Sequence, residues 1–417
     1  MGNIRKTISY LKRNGAVSTF QRIVEEKKIN KIFSNYNDER KANIASAKEL
    51  KSQSDYEFEK RPLISVVVPL YRTDENFLRA MIDSVLVQSY ENWELILPDG
   101  SGDDTCKSVL TEYDDERIRY FSLKENGGIS KNTNEGLKIA KGDVISFMDH
   151  DDYIEPDALF HIARAFEGGA LAVYTDEDKV NTDGTNYFMP NMKYDFNYDL
   201  LLSNNYICHM FAVSRQIFEK VSELNIKYDG AQDFDFILRC VEVIAKENGG
   251  YAGLKKKIAH IPKVLYHWRT HELSTADNPE SKLYAYEAGK RAIEDHLNRR
   301  GIHCKVKATK HLGFYHVEYE NVFEREEVGA YVGIPDKQKM YDDSKGPFFK
   351  DADGKLYNPY SGLKMYESGV MHRAKMQQDV DDAWRDYAII RPECENIKME
   401  DMPKNNFLIL FDPERKI

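Results

Sequence analysis

Three aspartates stand directly after a short apolar segment in the first half of the chain. Asp149, Asp151 and Asp152 follow Val144–Met148, which has the composition of a buried strand. Neighbouring carboxylates repel one another unless a cation is present, and oxygen ligands suit Mg²⁺ or Mn²⁺, which also bridge to phosphate oxygens. The pattern indicates a metal–diphosphate site. The alternative, from these residues alone, is an acidic loop in which Asp152 caps the helix that begins near Pro156.

Two further polar segments could meet the same ligand. Residues 98–105 form a turn-rich acidic loop in which Asp99 could accept a hydrogen bond from a base N–H or a ribose hydroxyl. Gly127 and Gly128 open a predicted helix that contains Lys131, and backbone N–H groups beside a cation suit phosphate. Taken alone, the first segment is equally an ordinary Asp-Gly turn and the second is a weak signal.

These segments need a scaffold that brings strand ends together. Apolar runs alternate with helical patterns from Pro62 onward, which predicts an α/β fold with a mostly parallel sheet flanked by helices. Ligands of such sheets bind beyond the carboxyl ends of the strands, so the polar segments should share one edge. The predicted strands are Ile64–Val68, Glu94–Leu97, Ile118–Leu123, Val144–Met148 and Leu171–Thr175, and the predicted helices are Leu78–Leu86, Ser130–Ala140, Pro156–Phe166 and Phe234–Cys240.

Length and composition limit the function classes. The 417 residues exceed what one hydrophobic core usually serves, and the 41% hydrophobic content is typical of a packed globular protein. A net charge of −10 disfavours general binding to nucleic acid. The five cysteines are too widely spaced for a CxxC zinc site, and no apolar run has membrane-spanning length. We therefore expect a cytoplasmic protein, either free or peripheral at the inner face of the cell membrane.

The first 31 residues reverse the overall charge. Eight lysines and arginines accompany two glutamates between Met1 and Lys31, and apolar residues at helical spacing predict two short basic helices. These helices would either dock on an anionic membrane surface or pack as a solvated helical face on the main domain. Residues 34–60 are polar and indicate a linker or an exposed helix.

The order and spacing of the motifs resemble the family 2 glycosyltransferases, which have the GT-A fold. The resemblance covers residues 61–307, and its later part is similar to the bacterial branch that builds rhamnose-rich polysaccharides, O-antigens and capsules. It implies inverting, metal-dependent transfer of a sugar from a UDP- or dTDP-linked donor to a cell-surface polysaccharide or a polyprenyl-linked glycan. The matching segments are Ser65–Tyr71, Ser84–Tyr90, Asp99–Ser101, Asn126–Ser130, Gly142–Asp143, Met148–Pro156, Tyr174–Lys179 and Asp199–His209.

Carried over residue by residue, the resemblance implies three groups of site residues. Pro69, Tyr71, Asp99, Lys131 and Asp149 would bind the nucleotide, Asp149, Asp151 and His271 would bind Mn²⁺ or Mg²⁺, and Gln232, His267 and Arg269 would lie near the acceptor or the diphosphate. The sequence departs from the family at Pro98, which replaces the first acidic residue of an Asp-Asp-Gly-Ser loop. The more important residue of that loop, Asp99, is retained.

Asp233 falls on the general base of the family, in a Gln-Asp pair where the family has Glu-Asp. Inverting transfer needs one carboxylate opposite the leaving group to take the proton of the acceptor hydroxyl. The alternative for Asp233 is a carboxylate that only stabilises a helix N-terminus. For His267 and His271 the alternative is a structural role.

The last part of the chain departs from this plan. Residues 308–417 are too few for a second nucleotide-binding sheet, so we expect a small α+β extension. It would be a shrunken remnant of a second glycosyltransferase domain or an unrelated acceptor-binding module. The expected organisation is a basic helical segment with a linker at 1–60, a glycosyltransferase domain at 61–307 and the extension at 308–417.

A second class of function stays open for the whole chain. A glycan- or nucleotide-binding protein that has lost transfer could keep the same fold. The four acidic residues that transfer would need favour the enzyme, and they are Asp99, Asp149, Asp151 and Asp233.

Overall fold

The computed structural model describes residues 35–319 except 194, 197, 249–253, 255, 272–282, 302–303 and 309–311, together with positions 11, 15, 16, 19 and 20 and five short strands after residue 331. The predicted basic helices between Met1 and Lys31 therefore lie almost wholly outside the described residues. Most of the predicted extension at 308–417 lies outside them as well.

A nine-stranded mixed sheet forms the centre of the described chain. Its strands are β1 (Ile64–Val67), β2 (Trp93–Asp99), β3 (Ile118–Ser122), β4 (Val144–Phe147), β5 (Tyr153–Ile154), β6 (Ala172–Val180), β7 (Tyr187–Asn191), β8 (Phe211–Ser214) and β9 (Ile258–Arg269). Their order is β3-β2-β1-β4-β8-β6-β9-β5, with β7 paired to β6. Among these described strands, β1 to β4, β6 and β9 share one direction, whereas β5, β7 and β8 oppose it. The predicted α/β class with a mostly parallel sheet is confirmed.

Helices cover both faces of this sheet. They are α1 (Tyr36–Asn43), α2 (Ala47–Ser54), α3 (Glu75–Leu86), α4 (Thr105–Leu110), α5 (Ile129–Leu137), α6 (Ala158–Glu167), α7 (Tyr198–Ser203), α8 (Arg215–Val221), α9 (Gln232–Glu247) and α10 (Leu283–Arg299). None of these helices is long and apolar enough to span a membrane.

The buried strand β1 shows how the two faces are filled. Ile64 and Val66 point to the core cluster that contains the α3 side chains Leu78 and Met81, whereas Val67 belongs to the cluster formed with α9. Successive side chains of a strand point to opposite faces, so a run of apolar residues predicts a strand covered on both sides. The carboxyl end of β1 is therefore held rigidly between two cores.

Short strands lie outside the central sheet. β10 (Cys304–Ala308) and β11 (Tyr315–Tyr319) form an antiparallel pair, and β11 packs into the same core cluster as α9. The predicted boundary after residue 307 falls inside this pair. The remaining strands are β12 (Val332–Gly333), β13 (Phe349–Lys350), β14 (Leu356–Tyr357), β15 (Ala388–Ile389) and β16 (Phe407–Leu410).

The segment at 34–60, expected as a linker or an exposed helix, contains two helices, of which α1 is bound to the sheet. Tyr36 donates a hydrogen bond to Asp178 Oδ2 at 2.8 Å, and the Arg40 guanidinium pairs with Glu155. His267 bridges the same two acids, with Nδ1 2.6 Å from Asp178 and Nε2 2.9 Å from Glu155. Burial opposes protonation of this imidazole, but the two acids together raise the pKa of His267. We call these five residues the Arg40 network.

The Arg40 network predicts a large stability effect. Arg40→Met should lower the free energy of unfolding by about 3–5 kcal/mol, because buried Glu155 and Asp178 would both lose their ion pair with the guanidinium, which lies 3.7 Å from Asp178 Oδ2. Urea unfolding followed by circular dichroism measures this loss. Lys41→Met is the matched control, since Lys41 on the same helix is 72% exposed and, among the described residues, forms an ion pair only with exposed Asp38. Equal losses in the two variants would contradict the prediction.

Candidate active site

Two predicted site residues lie at the carboxyl edge of neighbouring parallel strands. Asp99 ends β2 and is 2% exposed, with Oδ1 accepting from the Ser101 amide at 2.8 Å and Oδ2 accepting from the Tyr120 hydroxyl at 3.0 Å. Pro69 follows β1, the next strand. Because parallel strands end together, these segments share one edge, as the alternating pattern predicts. Tyr71 follows Pro69 and is 41% exposed.

Three carboxylates crowd the end of β4. Asp149, Asp151 and Asp152 each offer an oxygen, and these oxygens all lie within 4.8 Å of one another. Asp152 is fully buried, and its two oxygens accept hydrogen bonds from the Tyr266 hydroxyl at 2.5 Å and the Arg269 amide at 2.8 Å. Burial and the two neighbouring carboxylates raise the pKa of Asp152 well above its usual range. Both oxygens of Asp152 therefore already accept hydrogen bonds from the protein, whereas Asp149 and Asp151 lie at the carboxyl edge of the sheet.

Asp149 and Asp151 lie in different local environments. His271 Nε2 lies 2.7 Å from Asp151 Oδ2, and although burial opposes ionisation, this hydrogen bond and the nearby His150 lower the pKa of Asp151. Burial of the carboxylate by the surrounding protein raises the pKa of Asp149, and repulsion from Asp151 raises it further. The side chain of Asp149 is nevertheless 41% exposed. The cluster of possible metal ligands consists of the three aspartates, and the His271 imidazole lies beside one of them, Asp151. Carboxylate oxygens suit Mn²⁺ or Mg²⁺.

Antiparallel pairing brings one further histidine to this edge. β8 pairs with β4 from Val144↔Ser214 to Ser146↔Ala212, so the residues just before β8 lie near the end of β4. His209 Nε2 lies 4.0 Å from Asp149 Oδ2, and its ring stacks on Tyr266 with 5.1 Å between the centroids. The imidazole of His209 thus lies beside the carboxylate cluster, as that of His271 does.

Asp233 lies in the first turn of α9. Asn205 Nδ2 donates a hydrogen bond to Asp233 Oδ2 at 2.8 Å. Gln232 begins the helix, and its side-chain oxygen accepts from the Gly230 amide at 2.8 Å. Negative charge is favourable at a helix N-terminus.

Two hollows meet at Asp233. The inner cavity, of about 50 Å³, is lined by residues that include Pro69, Asp149, His209, Gln232 and Asp233. The outer cleft, of about 390 Å³, is lined by residues that include Asn204, Asn205, Asp233, Trp268, Tyr286 and Phe314. A carboxylate that borders both hollows can contact one ligand in each. Four of the predicted site residues thus line the inner cavity, namely Pro69, Asp149, Gln232 and Asp233, and Asp151 lies beside Asp149 in the carboxylate cluster, with His271 next to Asp151.

Other predicted residues lie elsewhere. His267 is 1% exposed and belongs to the Arg40 network, so its side chain is outside both hollows. Arg269 is 4% exposed and donates from Nε to the Asp151 carbonyl and from Nη1 to the Thr182 carbonyl, each at 2.8 Å. Lys131 on α5 is half exposed, and its ammonium lies 3.1 Å from Glu125.

Sequence reasoning assigned no role to Asn205 or His209, although both lie in a segment that it singled out. The available signal was a run of polar residues just before an apolar strand. A strand start reaches this edge only when the strand is antiparallel, and the sequence pattern does not show the direction of β8. The structure supplies that direction.

A carboxylate cluster beside a cavity at the carboxyl edge of the sheet is typical of α/β proteins that bind a ligand there. Residues 65–222 match the model of the family described as Glycosyl transferase family 2. The chain therefore carries a family 2 glycosyltransferase domain, as the motif resemblance implies.

Similar proteins match part of the chain. It is 41% identical over 246 residues to "Uncharacterized protein y4gI" of Sinorhizobium fredii, covering 57% of this chain and 26% of that protein. It is 33% identical over 265 residues to "O-antigen biosynthesis protein RfbC" of Myxococcus xanthus, covering 62% of this chain and 20% of that protein. Among solved structures, S. aureus TarS 1–349 in complex with UDP-GlcNAc is 20% identical, with a TM-score of 0.43, covering 56% of this chain and 66% of that one. The chain thus spans 26% of the length of the first curated relative and 20% of the second.

The contacts of Arg269 predict a structural role. Arg269→Met should lower the free energy of unfolding by about 2 kcal/mol or more, because the Asp151 and Thr182 carbonyls would each lose a donor. Thermal unfolding measures the change. The control is Arg291→Met, since Arg291 also donates to a backbone carbonyl, that of Lys227, but at an exposed position. If Arg269→Met unfolded like the wild type and only lost nucleotide affinity, the diphosphate role would be supported instead.

Proposed function

We propose that this protein is an inverting, metal-dependent glycosyltransferase that moves a sugar from a nucleoside-diphosphate donor to a saccharide acceptor. The observation that carries the proposal is the position of Asp233, which borders the inner cavity beside Asp149 and also borders the outer cleft. A general base must contact the acceptor hydroxyl while the donor lies on the other side of it. The family 2 domain at residues 65–222 supports the same activity.

The donor would bind along the carboxyl edge of the sheet. Asp99, Pro69 and Tyr71 would hold the nucleoside, and the diphosphate would lie near Asp149 and the N-terminus of α5. Lys131 would then face the diphosphate, since an exposed ion pair such as the one with Glu125 is weak and exchanges partners at little cost.

Asp149, Asp151 and His271 would hold Mn²⁺ or Mg²⁺. The ligand set fits, because hard cations prefer carboxylate oxygens and the third carboxylate, Asp152, is already occupied by protein donors. The raised pKa of Asp149 also fits, since a cation would stabilise the charged carboxylate against burial and against repulsion from Asp151. When bound, the metal would neutralise charge that develops on the departing diphosphate.

Transfer would be a single displacement. Asp233 takes the proton of the acceptor hydroxyl, and the acceptor oxygen forms a bond to the anomeric carbon of the donor sugar. The bond between that carbon and the diphosphate oxygen breaks, and the electron pair leaves with the nucleoside diphosphate. The proton on Asp233 is then released to solvent. Attack from the face opposite the leaving group inverts the anomeric configuration.

The acceptor would be a glycan of the cell surface, either a growing polysaccharide or a polyprenyl-linked chain. The outer cleft supports this, because it combines amide groups with aromatic faces at Trp268, Tyr286 and Phe314. The similarity to the O-antigen biosynthesis protein RfbC of Myxococcus xanthus also supports a saccharide acceptor. A screen of nucleotide sugars with Mn²⁺ and Mg²⁺, scoring released nucleoside diphosphate, tests the activity. Donor binding without release would favour a non-catalytic binding protein.

Asp233→Asn separates chemistry from binding. The variant keeps the shape of the side chain but removes the base, so kcat should fall about 100-fold or more while donor affinity stays nearly unchanged. Steady-state kinetics and calorimetric donor binding measure the two effects. Asp83→Asn, at an exposed position of α3, is the control and should keep full activity. A collapse of donor affinity in Asp233→Asn would show that Asp233 is a binding residue.

Asp151→Asn tests the metal site. It should abolish the binding of Mn²⁺ measured by electron paramagnetic resonance, because one of two carboxylate ligands is lost, and it should reduce transfer to background. Thermal unfolding of the metal-free proteins should differ little, since Asp151 keeps an isosteric side chain. Wild-type turnover that survived exhaustive chelation would disprove the metal requirement.

A further inference from the structure

Asn205 connects the proposed base to the outer cleft. It follows α7, lines the cleft and donates from Nδ2 to Asp233 Oδ2 at 2.8 Å. Its side-chain oxygen, Oδ1, is enclosed and accepts no hydrogen bond within the described part of the chain. The Nδ2 group of this amide is thus hydrogen-bonded to the base, whereas Oδ1 has no hydrogen-bond partner among the described residues.

The orientation of this amide is determined by its partner. A carboxylate can only accept hydrogen bonds when it is ionised, so the donor half of the amide must face Asp233. Turning the amide over would bring the Asn205 oxygen against a carboxylate oxygen. The unpartnered atom is therefore an acceptor.

An enclosed acceptor without a partner is costly. It loses its hydrogen bond to water and forfeits about 1–3 kcal/mol, and native proteins seldom leave such atoms unpaired. Other side chains near Asp233 are those of Cys208 and His209 before β8, Asp149 after β4 and Tyr315 on β11. None of these donates to Asn205 Oδ1. A donor from a ligand in the cleft would complete the amide.

We propose that Asn205 is an acceptor-recognition residue, and this inference rests on the proposed function of Asp233. Asn205 Oδ1 accepts a hydrogen bond from a hydroxyl of the acceptor sugar, while Nδ2 holds the base. Because one hydrogen bond ties Asn205 to Asp233, their free oxygens face neighbouring hydroxyls of a sugar ring. The ligand class is therefore a saccharide with two vicinal free hydroxyls. One loses its proton to Asp233 and reacts, and the other binds Asn205 without reacting.

Deoxygenated acceptors test this pairing. The probes are methyl hexosides that accept sugar from the wild-type enzyme, each with its monodeoxy derivatives. Removing the hydroxyl next to the reacting one should lower wild-type kcat/KM about tenfold or more, since the site is left with an unpaired oxygen. In Asn205→Leu, the parent glycoside should already be weakened, and the same deoxygenation should cause no further loss. That non-additivity is the signature of a direct contact.

Asn204→Leu is the matched control. Asn204 lines the same cleft, but it donates to the Gly313 carbonyl at 3.1 Å and does not contact Asp233. This variant should keep the wild-type discrimination against the deoxy acceptor, whatever its overall rate. Equal discrimination in the wild type and Asn205→Leu would overturn the inference, as would wild-type indifference to every deoxygenation, which would mean that an ordered water satisfies Oδ1.

Two measurements separate this inference from the proposed function. If Asp233→Asn transferred sugar at the wild-type rate, the base assignment would fail. If Asp233→Asn were inactive but Asn205→Leu discriminated like the wild type, only the inference on Asn205 would fail. Calorimetric binding of the same glycosides to the full chain, without donor, reports the contact independently of turnover. The deoxy glycoside should bind about tenfold more weakly to the wild type and equally to Asn205→Leu, and any other pattern would overturn the proposal.

Discussion

Repulsion among three carboxylates at the end of β4 is the constraint on which the rest of the site depends. Asp149, Asp151 and Asp152 lie within 4.8 Å of one another, and such a cluster is stable only if its charge is offset. The protein offsets two of the three from within, through the Tyr266 hydroxyl on Asp152 and His271 on Asp151. Asp149 remains the carboxylate that a ligand can reach.

Strands of both directions supply basic groups at this edge. β9 runs parallel to β4, carries Tyr266 and ends two residues before His271. β8 opposes β4 and begins just after His209, whose imidazole lies 4.0 Å from Asp149 Oδ2. An entirely parallel sheet would bring only strand ends to this edge, so His209 reaches it because β8 runs in the opposite direction.

The family match and the complete site do not coincide along the chain. Residues 65–222 match the family model and include the carboxylate cluster, but Asp233 and His271 follow this segment. The outer cleft also takes part of its wall from α10 and from Phe314, and the Arg40 network brings in α1 from before the match. The site described here is therefore assembled from residues inside and outside the segment that matches the family.

The sequence by itself determined the parallel half of the sheet and the acidic edge. Apolar runs such as Ile64–Val68 are covered on both faces, so their composition alone predicts strands. Local patterns also singled out Asp99 and Asp149, whereas Asp233 was singled out by the resemblance to the family. The strands β5, β7, β8 and β9 were not predicted, since β5 has only two residues and β9 contains Pro262 and buried polar residues, which local patterns do not mark as strand.

Only the tertiary structure decided which polar side chains face the site. His267 and Arg269 belong to one strand and carry the same residue types as a binding site, yet both are buried in structural contacts. Asn205, which no local pattern distinguishes, contacts Asp233. These outcomes depend on strand direction and register, which are set by contacts between residues distant in sequence. A local pattern carries the propensity of each residue for a strand or helix, but the free energy that selects its partner comes from packing across the whole domain.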